Sequence, residues 1–97
     1  MGLTAAGHQT LTVSSTAVAL TVPTPTDRTV DEVTGIVSGA DIVFKSNGDT
    51  PTSSDGDLLR DGDRFRIRGH TDINNFKAIR IASTDATVYL SYWVEEN

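Results

Sequence analysis

Five aspartates, Asp49, Asp55, Asp57, Asp61 and Asp63, fall within one loop-rich stretch of this 97-residue chain. Acidic oxygens on flexible loops are the donors that hard cations such as calcium prefer. The spacing departs from the EF-hand pattern, since Leu59 stands where an oxygen ligand is due and no glutamate closes the loop. Aspartate beside glycine is also ordinary turn chemistry, its carboxylate capping nearby backbone N–H groups, and the turn reading outweighs the metal one. His8 and His70 are the only histidines. A nucleophilic triad would need one of them beside a serine and a carboxylate, yet no G-x-S-x-G elbow is present. His8 opens a strand and His70 sits in a turn. A sandwich of this size rarely has room for a cleft flanked by two carboxyl groups, as a glycosidase needs. Glycine loops that cradle phosphate are absent from the sequence. No catalytic residue, metal ligand or cofactor is therefore assigned, and the expectation is a protein that is not an enzyme.

The residues with contact chemistry are more suggestive. Arg64, Arg66 and Arg68 alternate with Phe65 and Ile67, so the three guanidinium groups are expected to line one outward face of a strand. Such a stripe either protects an edge by charge or docks onto an acidic surface. In the last strand Val88, Leu90, Tyr92 and Val94 are expected to face inward, leaving Tyr89, Ser91 and the sole tryptophan, Trp93, on the opposite side. Tyrosine and tryptophan on such a face are anchors for a partner when they are not covered by their own chain.

Those side chains must be carried on strands. Alternation of apolar and small polar residues over His8 to Val13 and Ala17 to Val22, with Ser14-Ser15-Thr16 between, predicts a hairpin. Two prolines in Pro23 to Arg28 interrupt the ladder with a stiff crossover. Strand character resumes at Glu32 to Val37 and at Asp41 to Ser46, where Ile42 and Phe44 face one way and Val43 and Lys45 the other. Asn47-Gly48 supplies the positive φ angles of a strand-reversing turn, and Asn47 to Asp57 reads as an exposed loop. Leu58-Leu59 returns to the core, Arg64 to Arg68 is the cleanest alternation, and Gly69 to Asn75 is a loop or one helical turn. Phe76 to Ile81 and Ala86 to Val94 complete about eight short strands. No segment carries an apolar repeat of helical period, and the connections are too short for crossover helices. The expectation is an all-β, antiparallel two-sheet sandwich, jelly-roll or immunoglobulin-like, over 8–97, with 1–7 as a flexible N-terminal arm that orders on binding.

Composition narrows the partners. No stretch is apolar for long enough to cross a bilayer, and the first residues show no basic region followed by a long apolar run, so neither a membrane nor a secretory signal is expected. The net charge of −5 opposes diffuse attraction to nucleic acid. The chain has no cysteine, so packing or association with neighbours must stabilise it, which makes a homo-oligomer a serious expectation.

Two resemblances attach to these residues. Asn47-Gly48-Asp49-Thr50-Pro51-Thr52, with Phe76-Lys77-Ala78-Ile79 further on, resembles a short pattern of the chitobiase C-terminal type of immunoglobulin-like module carried by carbohydrate-active enzymes. The wider layout resembles small structural proteins of tailed bacteriophages. That likeness rests on the N-terminal Thr/Ala/Val hairpin, the Gly48-Asp49-Thr50-Pro51-Thr52 loop, the Leu58 to Asp63 turn, the Asp72 to Arg80 stretch and the terminal Ser83 to Tyr92 strand, and it covers most of the chain. It implies a capsid decoration or cement protein of the virion, assembled in the host cytoplasm, which reinforces the head by bridging copies of the major capsid protein or another virion protein. The alternatives are a head-tail connector or tail component, and a carbohydrate-binding accessory module. Arg64, Arg66, Arg68, Tyr89 and Trp93 are the expected contact residues.

Overall fold

The computed structural model describes residues 3–24 and 29–95. Its elements are β1 (Leu3–Val13), β2 (Val18–Ala19), β3 (Val30–Ser38), β4 (Ile42–Lys45), β5 (Asp57–Leu59), β6 (Arg64–Arg68), α1 (His70–Asn74), β7 (Lys77–Arg80) and β8 (Ala86–Glu95). They form two four-stranded sheets, ordered β1-β8-β3-β6 and β2-β7-β4-β5. Every pairing is antiparallel, and the pairs nest: β1 with β8, β2 with β7, β3 with β6, β4 with β5. A chain folded back on itself as one long ribbon and then wrapped into two sheets gives this order, which is the jelly-roll form of the sandwich. An immunoglobulin sandwich would set β1 beside β2 in one sheet. No helix among the described residues is long and apolar enough to cross a membrane.

Period-two patterning accounts for the core. In β8, Ala86, Val88, Leu90, Tyr92 and Val94 are buried, and the residues between them are partly or fully exposed. Strand β6 buries Ile67, half-buries Phe65 and exposes its three arginines. Three phenylalanine rings from different elements stack inside: Phe76 lies 5.3 Å from Phe44 and 5.9 Å from Phe65, centroid to centroid. Tyr92, also interior, donates its hydroxyl to Gln9 Oε1, so the buried phenol has an acceptor.

Four sequence expectations are corrected by the topology. The segments read as a hairpin, around His8–Val13 and Ala17–Val22, lie in different sheets: β1 pairs with β8, and β2 with β7. Ser14 to Ala17 cross between the layers, with Arg80 N donating to Ser14 O at 3.1 Å. Leu11 and Val13 then face Val18, Leu20 and Val22 across the core. Alternation reports which side chains are buried, and an arch between sheets satisfies it as well as a hairpin. Leu3 to Gly7, expected as an arm, belong to β1 and pair with Glu95 to Tyr92, with a register shift between Ala5 and Gly7; Met1 and Gly2 lie outside the described residues. Small side chains hid this strand, which exists because the ten-residue β8 has a free edge to fill.

Asn47-Gly48 is not a two-residue reversal either. Strand β4 does return antiparallel to β5, but through the whole loop between them, and among the described residues only glycines have positive φ, Gly48 at 94°. Within that loop Thr52 and Asp55 exchange backbone hydrogen bonds of 3.1 and 3.2 Å. Gly56 rests on Val43 Cγ1, where a Cβ would collide. Val43 is buried there although it lies outside the main core cluster. Of Leu58 and Leu59 only the second is buried; Leu58 is 49% exposed. Of the expected crossover, Pro23 packs near Gly7, and residues 25–28 lie outside the described ones.

Candidate docking face

The outward face of the β1-β8-β3-β6 sheet collects the residues with contact chemistry. Residues opposite one another on neighbouring strands share a face, and the registers place them in three rows. One row reads Thr10, Tyr89, Ile36, Arg64; the next His8, Ser91, Thr34, Arg66; the third Ala5, Trp93, Glu32, Arg68. An open groove of about 820 Å³ runs over the first two rows. All five residues named from sequence therefore lie on one surface, on two strands separated by β3.

Their environments differ. Tyr89 is 52% exposed, a large ring held in water on a central strand. Trp93 is half-buried, and its indole Nε1 donates to Thr34 Oγ1 at 3.0 Å. Arg68 is tied within the chain, its Nε lying 2.9 Å from Glu32 Oε1, and Glu32 is a buried carboxylate. Lys45 is paired with Asp55 at 2.9 Å, a hydrogen bond that holds the ammonium above its ordinary pKa. Arg80 pairs with Asp85. Arg64 and Arg66 form no ion pair among the described residues, so the groove is flanked by two uncommitted cations on a molecule of net charge −5.

Asp49, Asp61 and Asp63, with Asp41, are engaged in turn hydrogen bonds. Asp61 Oδ1 accepts from Gly39 N at 2.9 Å, Asp41 Oδ1 from Asp61 N at 2.8 Å, and Asp63 Oδ2 from Arg60 N at 2.8 Å. Asp49 accepts from the side chain of Asn47 at 3.1 Å. Asp49 and Asp63 bond within their own turns, Asp41 and Asp61 tie two turns together, and Asp55 pairs with Lys45; among the described residues no three acidic or imidazole side chains converge on one point.

The two histidines part company. His70 bonds Asn74 within α1. His8 Nδ1 lies 3.0 Å from Ser91 Oγ, on the outward face of the β1-β8-β3-β6 sheet. Sequence reading did not bring this pair together, because the residues are 83 positions apart and only the β1–β8 register makes them neighbours. Thr34, Ile36 and Glu32 were missed for the same reason. Alternation in β3 shows that they face outward, but nothing local says that β3 lies between β8 and β6.

No family model, curated protein or solved structure matches this chain.

Proposed function

We propose that this chain is a non-enzymatic structural protein that works by adhesion, with the outer face of the β1-β8-β3-β6 sheet as its contact surface. The observation that carries this reading is the grouping of exposed Tyr89 with Arg64 and Arg66, which form no ion pair among the described residues, around one open groove, with half-buried Trp93 in the next row of the same face. Aromatic rings and arginine are the residue types that anchor interfaces. Water-exposed Tyr89 has apolar area to lose to a partner, and among the described residues Arg64 and Arg66 have no carboxylate partner to abandon. Within this class we assign the chain to the virion of a tailed bacteriophage, as a capsid decoration or cement protein bridging major capsid subunits. That assignment rests on the resemblance of the Leu58 to Asp63, Asp72 to Arg80 and Ser83 to Tyr92 segments, and by analogy on the use of jelly rolls in viral shells. A symmetric lattice of identical sites would turn a modest single contact into firm attachment through multivalency.

The test is attachment of the purified chain to capsids lacking it, from the phage or prophage whose genome carries the gene, read by cosedimentation. Saturable binding that Tyr89→Ala with Arg66→Ala weakens about tenfold or more, without loss of fold, is the expected result. A closed six- or twelve-membered ring in solution would replace decoration with the connector reading. The jelly roll is also a lectin architecture, and Tyr89 lies beside Thr10 in its own row with Ser91 and Thr34 in the next. Specific glycan binding that disappears in Trp93→Ala and Tyr89→Ala proteins would therefore favour a carbohydrate-binding module.

A further inference from the structure

Strand β6 closes one side of its sheet: β3 pairs with it, and no strand of the described residues lies beyond. The ladder fixes which backbone groups are spent. Val37 N donates to Asp63 O and Gly69 N donates to Asp31 O, both at 2.9 Å. Residues 63 and 69 therefore turn their polar groups toward β3, and by the period of two so do Phe65 and Ile67. The N–H and C=O groups of Arg64, Arg66 and Arg68 face the other way, into the open edge. The arginine side chains stand on the outer face of the same edge, while half-buried Phe65 lies on the inner face.

We propose that this edge binds an extended acidic segment of a partner protein by strand addition, with carboxylates at every second position. The proposal rests on the docking reading above and names the partner's chemistry and the way it is held. An added strand would complete the ladder through the three arginine N–H and C=O pairs. Its alternate side chains, about 6.8 Å apart, would lie opposite the guanidinium groups on the outer face. Arg64 and Arg66, which form no ion pair among the described residues, can take them with paired hydrogen bonds. The intervening residues would point toward Phe65 and favour apolar types. The charges also select against the wrong occupant. A second copy of β6 would bring arginine against arginine, and cationic or neutral strands gain nothing from the stripe.

The experiment uses the whole chain and a blocked peptide, acetyl-Glu-Val-Glu-Val-Glu-amide, with its Lys-for-Glu counterpart as control, read by residue-resolved amide hydrogen exchange. Saturating acidic peptide should slow exchange at the Arg64, Arg66 and Arg68 amides by about tenfold or more, with Phe65 and Ile67, already bonded to β3, unchanged. The lysine peptide should have no effect. Arg66→Glu should abolish the protection while its Phe65 and Ile67 amides stay protected, showing an intact fold. Perturbation confined to Tyr89 and Ser91, with no slowing at the arginine amides, would overturn strand addition and leave the face reading standing. Absence of peptide binding by a chain that still attaches to its capsid would do the same. Loss of attachment itself would overturn the docking reading.

Discussion

Phe65 lies over the bare backbone of its cross-strand partner Gly35: a Cβ on residue 35 would stand 2.6 Å from Phe65 Cζ and 2.9 Å from Leu90 Cδ2. Glycine here makes room for a ring, and that ring continues the stack through Phe76 to Phe44. Adding one methyl group must displace Phe65 from both. Gly35→Ala is therefore expected to cost about 1–3 kcal/mol, the usual range for overpacking, read as a lowered urea midpoint with an unchanged slope. A variant as stable as the parent would show that the ring is not held against this backbone.

Among the described residues Arg68 is the one cation bonded to Glu32, and the pair is lopsided: the arginine side chain is 70% exposed and the glutamate side chain 8%. Arg68→Ala removes little packing but leaves a buried carboxylate without its partner. Solvent reaching the pair limits the loss, so about 1–2 kcal/mol is expected, less than for a fully buried ion pair. Glu32→Gln together with Arg68→Ala should recover part of it in a double-mutant cycle. Additive losses would mean that the contact contributes nothing.

The burial pattern was legible in the residues, and the pairing was not. Leu90, Tyr92, Phe65 and Ile67 face inward as their alternation says, and Tyr89, Trp93 and the three arginines face outward. Alternation is a property of one strand and its two environments, so it survives any choice of neighbour. The order β1-β8-β3-β6 depends on contacts between the first and last segments of the chain, which no local signal encodes. Hence the supposed hairpin around Ser14 is an arch between sheets. The supposed arm at Leu3 to Gly7 is a strand, because β8 is long enough to need a partner there. The outer face of this sheet inherits the same division. Its members could be named one strand at a time, but the His8–Ser91 contact and the row from Tyr89 through Ile36 to Arg64 exist only through the long-range register.

Tyr92 predicts alkaline sensitivity. Burial pushes its phenol from the ordinary 10 up to about 12, because the interior disfavours the phenolate. Above pH 10 the unfolded chain loses this proton while the folded chain keeps it, so the folded state binds more protons and stability falls as pH rises. The contribution is fully present below pH 10 and is lost between about 10 and 12, amounting to roughly 2 to 3 kcal/mol. Phenolate absorbance in Tyr89→Phe protein, where Tyr92 is the only phenol left, should rise with unfolding rather than before it. A transition near pH 10 with the fold intact would contradict the burial.

His8 and Ser91 put a hydrolytic alternative within reach of a direct test. The imidazole Nδ1 lies 3.0 Å from the hydroxyl, close enough for a base to take its proton. Two further parts of such a site are missing from the geometry around it. Among the described residues no carboxylate bonds the His8 ring to fix its tautomer and orientation. Ser91 also sits in the middle of β8, between β1 and β3, so backbone N–H groups around it are spent in the ladders and are not free to hold an oxyanion. The pair is therefore expected to act as a hydrogen-bonded patch on the docking face. A fluorophosphonate probe should leave Ser91 unlabelled, and Ser91→Ala should not change the background hydrolysis of activated esters. Stoichiometric labelling that disappears in the Ser91→Ala protein would replace adhesion with catalysis as the work of this surface.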